Sequence, residues 1–127
     1  IQDYIEIEKL RYDENLKVDF NINGSTKKIM IKPLILIPLV ENAFKHGARN
    51  SKKNGYIVLD LNATSRLLDF RVENSFEKPT KKIKAQIGGI GLTNLKKRLE
   101  LNYGPDFYNL DITKEKNKYI AHLKIKL

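Results

Sequence analysis

Asn42, Lys45 and His46 stand at i, i+3 and i+4 within Pro38-Leu39-Val40-Glu41-Asn42-Ala43-Phe44-Lys45-His46-Gly47. A helix turns that spacing into one stripe, and Arg49 at i+7 extends it. An amide oxygen, an ammonium and an imidazole on one face suit a metal-bound polyphosphate. The amide can ligate Mg²⁺ without adding charge, and the cation neutralises phosphate oxygens. The same stripe also reads as a solvated helix face carrying a Glu41–Lys45 i,i+4 pair, and spacing alone leaves both readings open. A histidine without carboxylate neighbours makes a poor Zn²⁺ site.

Two further groups carry chemistry. In the segment 67–74, Leu68, Phe70, Val72 and Asn74 share one face and Asp69, Arg71 and Glu73 the other. The apolar face must be the buried one, which points the Asn74 amide toward the core at the strand end. A buried amide needs partners or costs on the order of 1–3 kcal/mol. Asn74 therefore either reads the edge of a bound base or turns outward to cap the following loop. The third group is Gly88-Gly89-Ile90-Gly91-Leu92, ahead of a helical pattern. Glycines let backbone N–H groups crowd a phosphate at a helix N-terminus, where the dipole favours an anion. Hinges and tight turns look alike in sequence, and the spacing is not that of a dinucleotide-binding fingerprint.

The elements that must position these groups follow from hydrophobic period. Residues 1–13 read as a short helix. Residues 16–22 alternate strictly, and with the Asn23-Gly24-Ser25 turn and a second strand over 28–31 they predict a hairpin. Pro33 is placed in the first turn of a main helix over 34–48, with Leu36, Leu39, Val40 and Ala43 on its buried stripe. A polar loop, 49–55, precedes strands 56–63 and 67–74. Residues 75–87 (SFEKPTKKIKAQI) have no period, one proline and Lys78, Lys81, Lys82 and Lys84, which predicts a mobile loop. A helix over 91–103 follows, with Leu92, Leu95 and Leu99 on one side, then strands near 108–114 and 119–126. Alternating strands of this kind predict a mostly antiparallel mixed sheet covered by helices on one face, a two-layer α/β sandwich without the βαβ alternation of a doubly wound sheet.

Composition bounds the rest. At 127 residues the chain fits one domain, and 41% hydrophobic with 31% charged residues is ordinary for a globular protein. No apolar run approaches ~18 residues, the length a membrane span requires. The chain opens in a charged amphipathic pattern without an initiator Met, so it reads as a fragment. The absence of cysteine excludes disulfides and thiolate metal sites and fits a reducing cytoplasm. The net charge of +9 attracts anions. The Lys-Lys pairs at 27–28, 52–53, 81–82 and 96–97 are scattered, however, and no basic stripe interleaved with aromatics marks a nucleic-acid surface.

Together, Glu41-Asn42-Ala43-Phe44-Lys45-His46-Gly47, a strand ending Val72-Glu73-Asn74-Ser75, and Gly88-Gly89-Ile90-Gly91-Leu92-Thr93-Asn94-Leu95-Lys96-Lys97-Arg98-Leu99 resemble the histidine-kinase branch of the GHKL (HATPase) ATPases. The wording PLVENAFKHG, GGIGLTNLKKRLELNYG and the opening YIEIEKLRY is similar to the LytS-type sensor kinases, in the right order over essentially the whole chain. The resemblance implies the Bergerat fold, with ATP bound between helices under a flexible lid formed by residues 75–87. It implies Asn42 as the Mg²⁺ ligand, Lys45 and His46 near the phosphates, and Gly88, Gly89, Gly91 and Leu92 as the glycine box. Arg98 matches a family arginine whose role, packing or phosphate binding, stays open. Asn74 takes the place of the family's adenine-reading Asp, and Ser75, Phe76 and Glu77 replace the rest of that Asp-x-Gly-x-Gly box. An Asn oxygen can still accept from the adenine N6 amine, without charge assistance.

The implied function is that of an enzyme, a two-component protein histidine kinase that uses ATP and Mg²⁺ to transfer a γ-phosphoryl group to a histidine outside this chain. In that reading residues 1–13 are the tail of the dimerisation and phosphoacceptor helices, and 14–127 are the catalytic domain. His122, on the polar face of the last strand, is structural. The implied partners are those helices of the same protein, in a homodimer, and a downstream response regulator. The implied location is the cytoplasmic side of a bacterial inner-membrane protein. The alternative is a catalytically weak nucleotide-binding scaffold in a signalling dimer, which the missing Asp box favours.

Overall fold

The computed structural model describes residues 1–12, 14–47, 54–77 and 89–127. Its elements run α1 (Gln2–Arg11), β1 (Lys17–Gly24), α2 (Ile37–Gly47), β2 (Tyr56–Ala63), β3 (Leu67–Ser75), α3 (Ile90–Tyr103), β4 (Tyr108–Lys114) and β5 (Lys118–Lys126). The five strands form one sheet in the order β1-β2-β3-β5-β4. β1 pairs parallel with β2, and the remaining pairs are antiparallel. The expected mixed, mostly antiparallel α/β sandwich is therefore present.

The alternation in β2, β3 and β5 becomes four rows of inward residues across the sheet. Ala63–Leu68–Ile125, Leu61–Phe70–Leu123 and Leu59–Val72–Ala121 are apolar, and the fourth row is Ile57–Asn74–Tyr119. The helices cover this face. From α2, Leu39, Val40, Ala43 and Phe44 are buried against it, and from α3, Leu92, Leu95 and Leu99. α1 joins through buried Ile5, while Tyr12, just beyond it, stacks on Phe44 at 5.6 Å.

Two expectations fail. The hairpin does not form: β1 extends to Gly24 and lies beside β2, which follows it only after α2, and residues 28–31 pair with no strand among the described residues. This makes one βαβ unit, contrary to the sequence reading. The physical reason lies in Gly24. It reads as a turn glycine, yet its φ of +87° and the 2.0 Å that would separate an added Cβ from the Ala63 carbonyl oxygen show a strand end pressed against its parallel neighbour. The alternation at 28–31 survives only as burial, with Ile29 and Ile31 half-buried and Met30 exposed.

The main helix also begins at Ile37 and not at residue 34. Leu34 has φ +61°, outside the right-handed helical region, and the first turn closes on the Leu36 carbonyl through the N–H groups of Leu39 and Val40. Pro38, not Pro33, thus occupies the first turn, where no N–H is needed. Arg98 of α3 holds the preceding segment by donating to the Pro33 and Leu34 carbonyls at 2.6 and 3.3 Å, which gives this side chain a packing role. The loop expected at 75–87 begins one residue later than expected. Ser75 ends β3 and Phe76 is buried; the remainder from residue 78 lies outside the described residues, as does Arg49.

Candidate functional site

Where α2 meets the start of α3, a cavity of about 350 Å³ opens between them. Glu41, Asn42, Lys45 and His46 form one wall; Gly89, Gly91 and Leu92 form the other. Two groups that sequence places about fifty residues apart are thus brought to one opening. Gly88, the first glycine of the box, lies outside the described residues.

The α3 side is built to receive an anion. Gly89 caps the helix without a side-chain hydrogen bond, and no acidic residue occupies the first turn, so the positive end of the helix is uncompensated. A Cβ added at Gly91 would meet no atom of the described residues within 4 Å. Packing among them therefore does not demand this glycine; it leaves backbone open toward the cavity.

The α2 side is mixed. Lys45 is exposed, and no ion pair joins it to Glu41, so the stabilising pair of the solvated-face reading is not made. Among the described residues no three of His, Cys, Asp and Glu gather as a protein-only metal cage. The donor set still fits Mg²⁺, which commonly takes one or two protein oxygens and completes its shell with phosphate and water. Asn42, half-buried, and Glu41, exposed, both line the cavity wall. Glu41, which reads in the sequence only as half of a salt bridge, also lines the cavity.

His46 departs from the expected stripe. It touches the cavity yet is only 5% exposed, and its ring lies 6.4 Å from that of Tyr119 in a tilted contact. It packs inward more than it faces the cavity.

Asn74 lies deeper still. It is fully buried in the fourth row and does not line the cavity. The end of α2 seats directly on it: a Cβ at Gly47 would stand 3.3 Å from the Asn74 Cβ and 3.0 Å from Ile57. The Asn74 amide donates to the Ser75 carbonyl at 2.8 Å, and a carbonyl can only accept, so the amide's NH₂ must face it. Its oxygen then points away and has no partner among the described residues. Next to it Tyr119, 1% exposed, leaves its hydroxyl equally unpartnered. Burial raises the Tyr119 pKa; the Asn42 amide approaches and draws it down in part, without closing to a hydrogen bond. Tyr119 escaped the sequence reading, although it lies in phase with Ala121 and Leu123 on β5, where alternation turns it inward.

His122 lies on the opposite face of the sheet, its Nε2 2.8 Å from Asp69, in keeping with a structural role.

No family model matches the chain. In sequence it is similar to the sensor protein LytS of Staphylococcus epidermidis, 31% identical over 72 residues, 57% of this chain and 12% of that protein. It is also similar to the sensor histidine kinase BtsS of Escherichia coli, 26% identical over 118 residues, 91% of this chain and 20% of that protein. The chain thus spans about a fifth or less of the length of these relatives. In structure it matches the catalytic domain of the histidine kinase ThkA with a TM-score of 0.66 at 18% identity, over 98% of this chain and 92% of that one. It also matches ThkA in a crystal structure with the response regulator TrrA, with a TM-score of 0.59 at 18% identity, over 98% of this chain and 36% of that one. The chain has the fold of histidine kinase catalytic domains and is a relative in sequence of the LytS-type sensor kinases.

Proposed function

We propose that this chain is the ATP-binding catalytic domain of a two-component sensor histidine kinase. The observation that carries the proposal is the cavity itself. It is an uncompensated helix N-terminus opposite an amide, a carboxylate and a lysine, within a histidine-kinase fold. Amide and carboxylate oxygens, an exposed ammonium and the N–H groups of a helix N-terminus are what a metal-bound triphosphate requires. Asn42, with Glu41 on the same wall, would hold the metal, Lys45 would neutralise phosphate oxygens, and the backbone at Gly89 and Gly91 would approach the phosphates. Mg²⁺ held there would supply neutralisation of phosphoryl charge.

The γ-phosphorus–oxygen bond to ADP breaks, and a phosphorus–nitrogen bond forms to the imidazole of a histidine that gives up its proton. That histidine belongs to the dimerisation helices of the same protein, of which residues 1–13 are the tail. His46, packed inside, and His122, paired with Asp69, are unsuited to accept it. The phosphoryl group then passes to a response regulator, as the ThkA–TrrA complex suggests by its fold partner. The parent is a homodimer in the bacterial inner membrane with this domain on the cytoplasmic side; no helix among the described residues is long and apolar enough to cross a membrane.

A second reading, a nucleotide-binding scaffold without transfer, is favoured by one observation: Asn74, in the place of the family's base-reading residue, is fully buried and does not line the cavity. One experiment separates the two. The chain is incubated with γ-labelled Mg·ATP and a separate acceptor-helix fragment of its parent. The kinase reading requires acid-labile label on the fragment and none on the chain, and ATP binding without transfer leaves the scaffold.

A further inference from the structure

The fourth row of the sheet carries two buried polar atoms that the fold leaves unused. The Asn74 oxygen is an acceptor without a donor, and the Tyr119 hydroxyl lacks a partner, both among the described residues. The two residues are register partners on neighbouring strands, so their side chains rise from the sheet next to each other. A single buried orphan is unusual in a folded protein, and two side by side point to something that pairs with both.

Their chemistry is complementary. The Asn74 NH₂ already donates to the Ser75 carbonyl, and its unmatched atom, the oxygen, can only accept. A phenol donates readily and, protonated, supplies its one O–H. A ligand that fits presents a donor and an acceptor on adjacent atoms of one planar edge. Adenine has that edge, with the N6 amine donating and N1 accepting; guanine has the reverse, O6 accepting and N1–H donating.

We propose that Tyr119 is a base-reading residue of the nucleotide site, its hydroxyl donating to adenine N1 while the Asn74 oxygen accepts from N6. This deepens the nucleotide-binding reading above and rests on it. The position is in keeping with that reading, because the Tyr119 ring leans on His46, which lines the cavity. In the structure described the row is closed. Tyr119 contacts Phe76 at 6.0 Å and His46 at 6.4 Å, and admission of a base parts those two contacts. The pair also answers for the missing carboxylate: two neutral hydrogen bonds replace one charge-assisted bond.

The test compares ATP with 1-deaza-ATP, which keeps N6 and lacks only the N1 acceptor, by titration of the wild-type chain and of Tyr119→Phe. Wild type is expected to bind the deaza analogue about tenfold more weakly than ATP, the worth of one buried hydrogen bond. Tyr119→Phe, which keeps the ring, is expected to bind both equally, at the weaker level. Its melting temperature without nucleotide should be unchanged or raised, because an idle buried hydroxyl has been removed. A wild type that does not discriminate the analogue, or a Tyr119→Phe variant that still does, overturns the role of Tyr119 while the nucleotide site stands. A variant that melts lower and loses both nucleotides alike marks the hydroxyl as structural and overturns it too. Failure of wild type to bind either nucleotide sinks the site reading itself.

Discussion

The two faces of the same sheet treat their polar side chains in opposite ways. On the open face, Tyr56 donates to Glu73, Arg71 pairs with that same carboxylate, and Asp69 takes both His122 and Lys124. These groups are close to water and could be solvated, yet they are paired. On the covered face, at the end where α2 and α3 converge, Asn74 and Tyr119 are cut off from water and left with unmatched atoms. A fold selected for stability alone would do the reverse, since an orphaned buried atom costs on the order of 1–3 kcal/mol and an exposed pair contributes little. The difference sets apart the one inward row of β2, β3 and β5 that is not wholly apolar, and it is there that the proposed base-reading pair lies.

The largest effect should come from Asn42. Asn42→Ala removes the amide oxygen at the cavity wall and should weaken Mg·ATP binding by about 10- to 100-fold, the loss expected when a contact to a charged group is deleted. Metal-free ATP should be bound almost as before. Titration at two Mg²⁺ concentrations checks this, and an equal loss with and without metal would remove Asn42 from the metal and leave it a phosphate contact.

Asn74→Asp is next, and here the structure alters the expectation. The sequence alone suggests that restoring the family carboxylate leaves affinity unchanged or improves it. In the structure the side chain is fully buried and its NH₂ holds the Ser75 carbonyl. An aspartate would turn an oxygen on that carbonyl and bury a charge. The nucleotide-free chain should lose roughly 1–3 kcal/mol of stability, seen as a lower denaturation midpoint, and ATP should restore more of it than in wild type. A midpoint equal to wild type without nucleotide would show that the site is wetter than the structure describes.

Two glycines sharpen the contrast between packing and function. Gly47→Ala pushes a methyl to 3.0 Å from Ile57 and 3.3 Å from Asn74 and should destabilise by about 1–2 kcal/mol through overpacking. Gly91→Ala meets nothing among the described residues and replaces a poor helix former, so stability should hold or rise by up to about 1 kcal/mol while nucleotide affinity falls. If both variants lose stability alike, Gly91 is a structural glycine and the cavity loses one of its walls.

Much of this was legible from residue order, because it depends on local period. The inward rows of β2, β3 and β5 follow from alternation, and α3 from Leu92, Leu95 and Leu99. What escaped depends on contacts distant in sequence. Gly24 serves a parallel neighbour almost forty residues on, Leu34 takes a left-handed turn under the hold of Arg98, and whether Asn74 is sealed or open is decided by Gly47, Phe76 and Tyr119. The chemistry of the stripe on α2 was visible, but its division was not. Asn42 and Lys45 turn to the cavity, while His46 tucks against an aromatic ring that only the sheet register brings near.

The smallest effects belong to the open face, and they should appear only as pH dependence of stability. Burial pushes the Glu73 carboxyl up, but the hydrogen bonds from Arg71 and Tyr56 outweigh it and leave the group below its ordinary 4.5. A carboxyl depressed by folding stabilises above its unfolded value and loses that contribution as pH falls through the folded one. Burial and the Glu73 bond push Tyr56 from 10.0 to about 12; a group raised by folding stabilises below its unfolded value and loses that contribution as pH climbs between the two. Wild type should therefore weaken on the acid side below about pH 4.5 and again between about pH 10 and 12. Glu73→Gln should flatten the acid shoulder and reduce the alkaline one, with a loss at neutral pH of at most about 1 kcal/mol for a partly exposed cluster. Nucleotide affinity should not change in this variant, because Glu73 points away from the helices. A fall in ATP binding in Glu73→Gln comparable to that in Asn42→Ala would mean that the two faces are coupled through β3, and the separation drawn between them would fail.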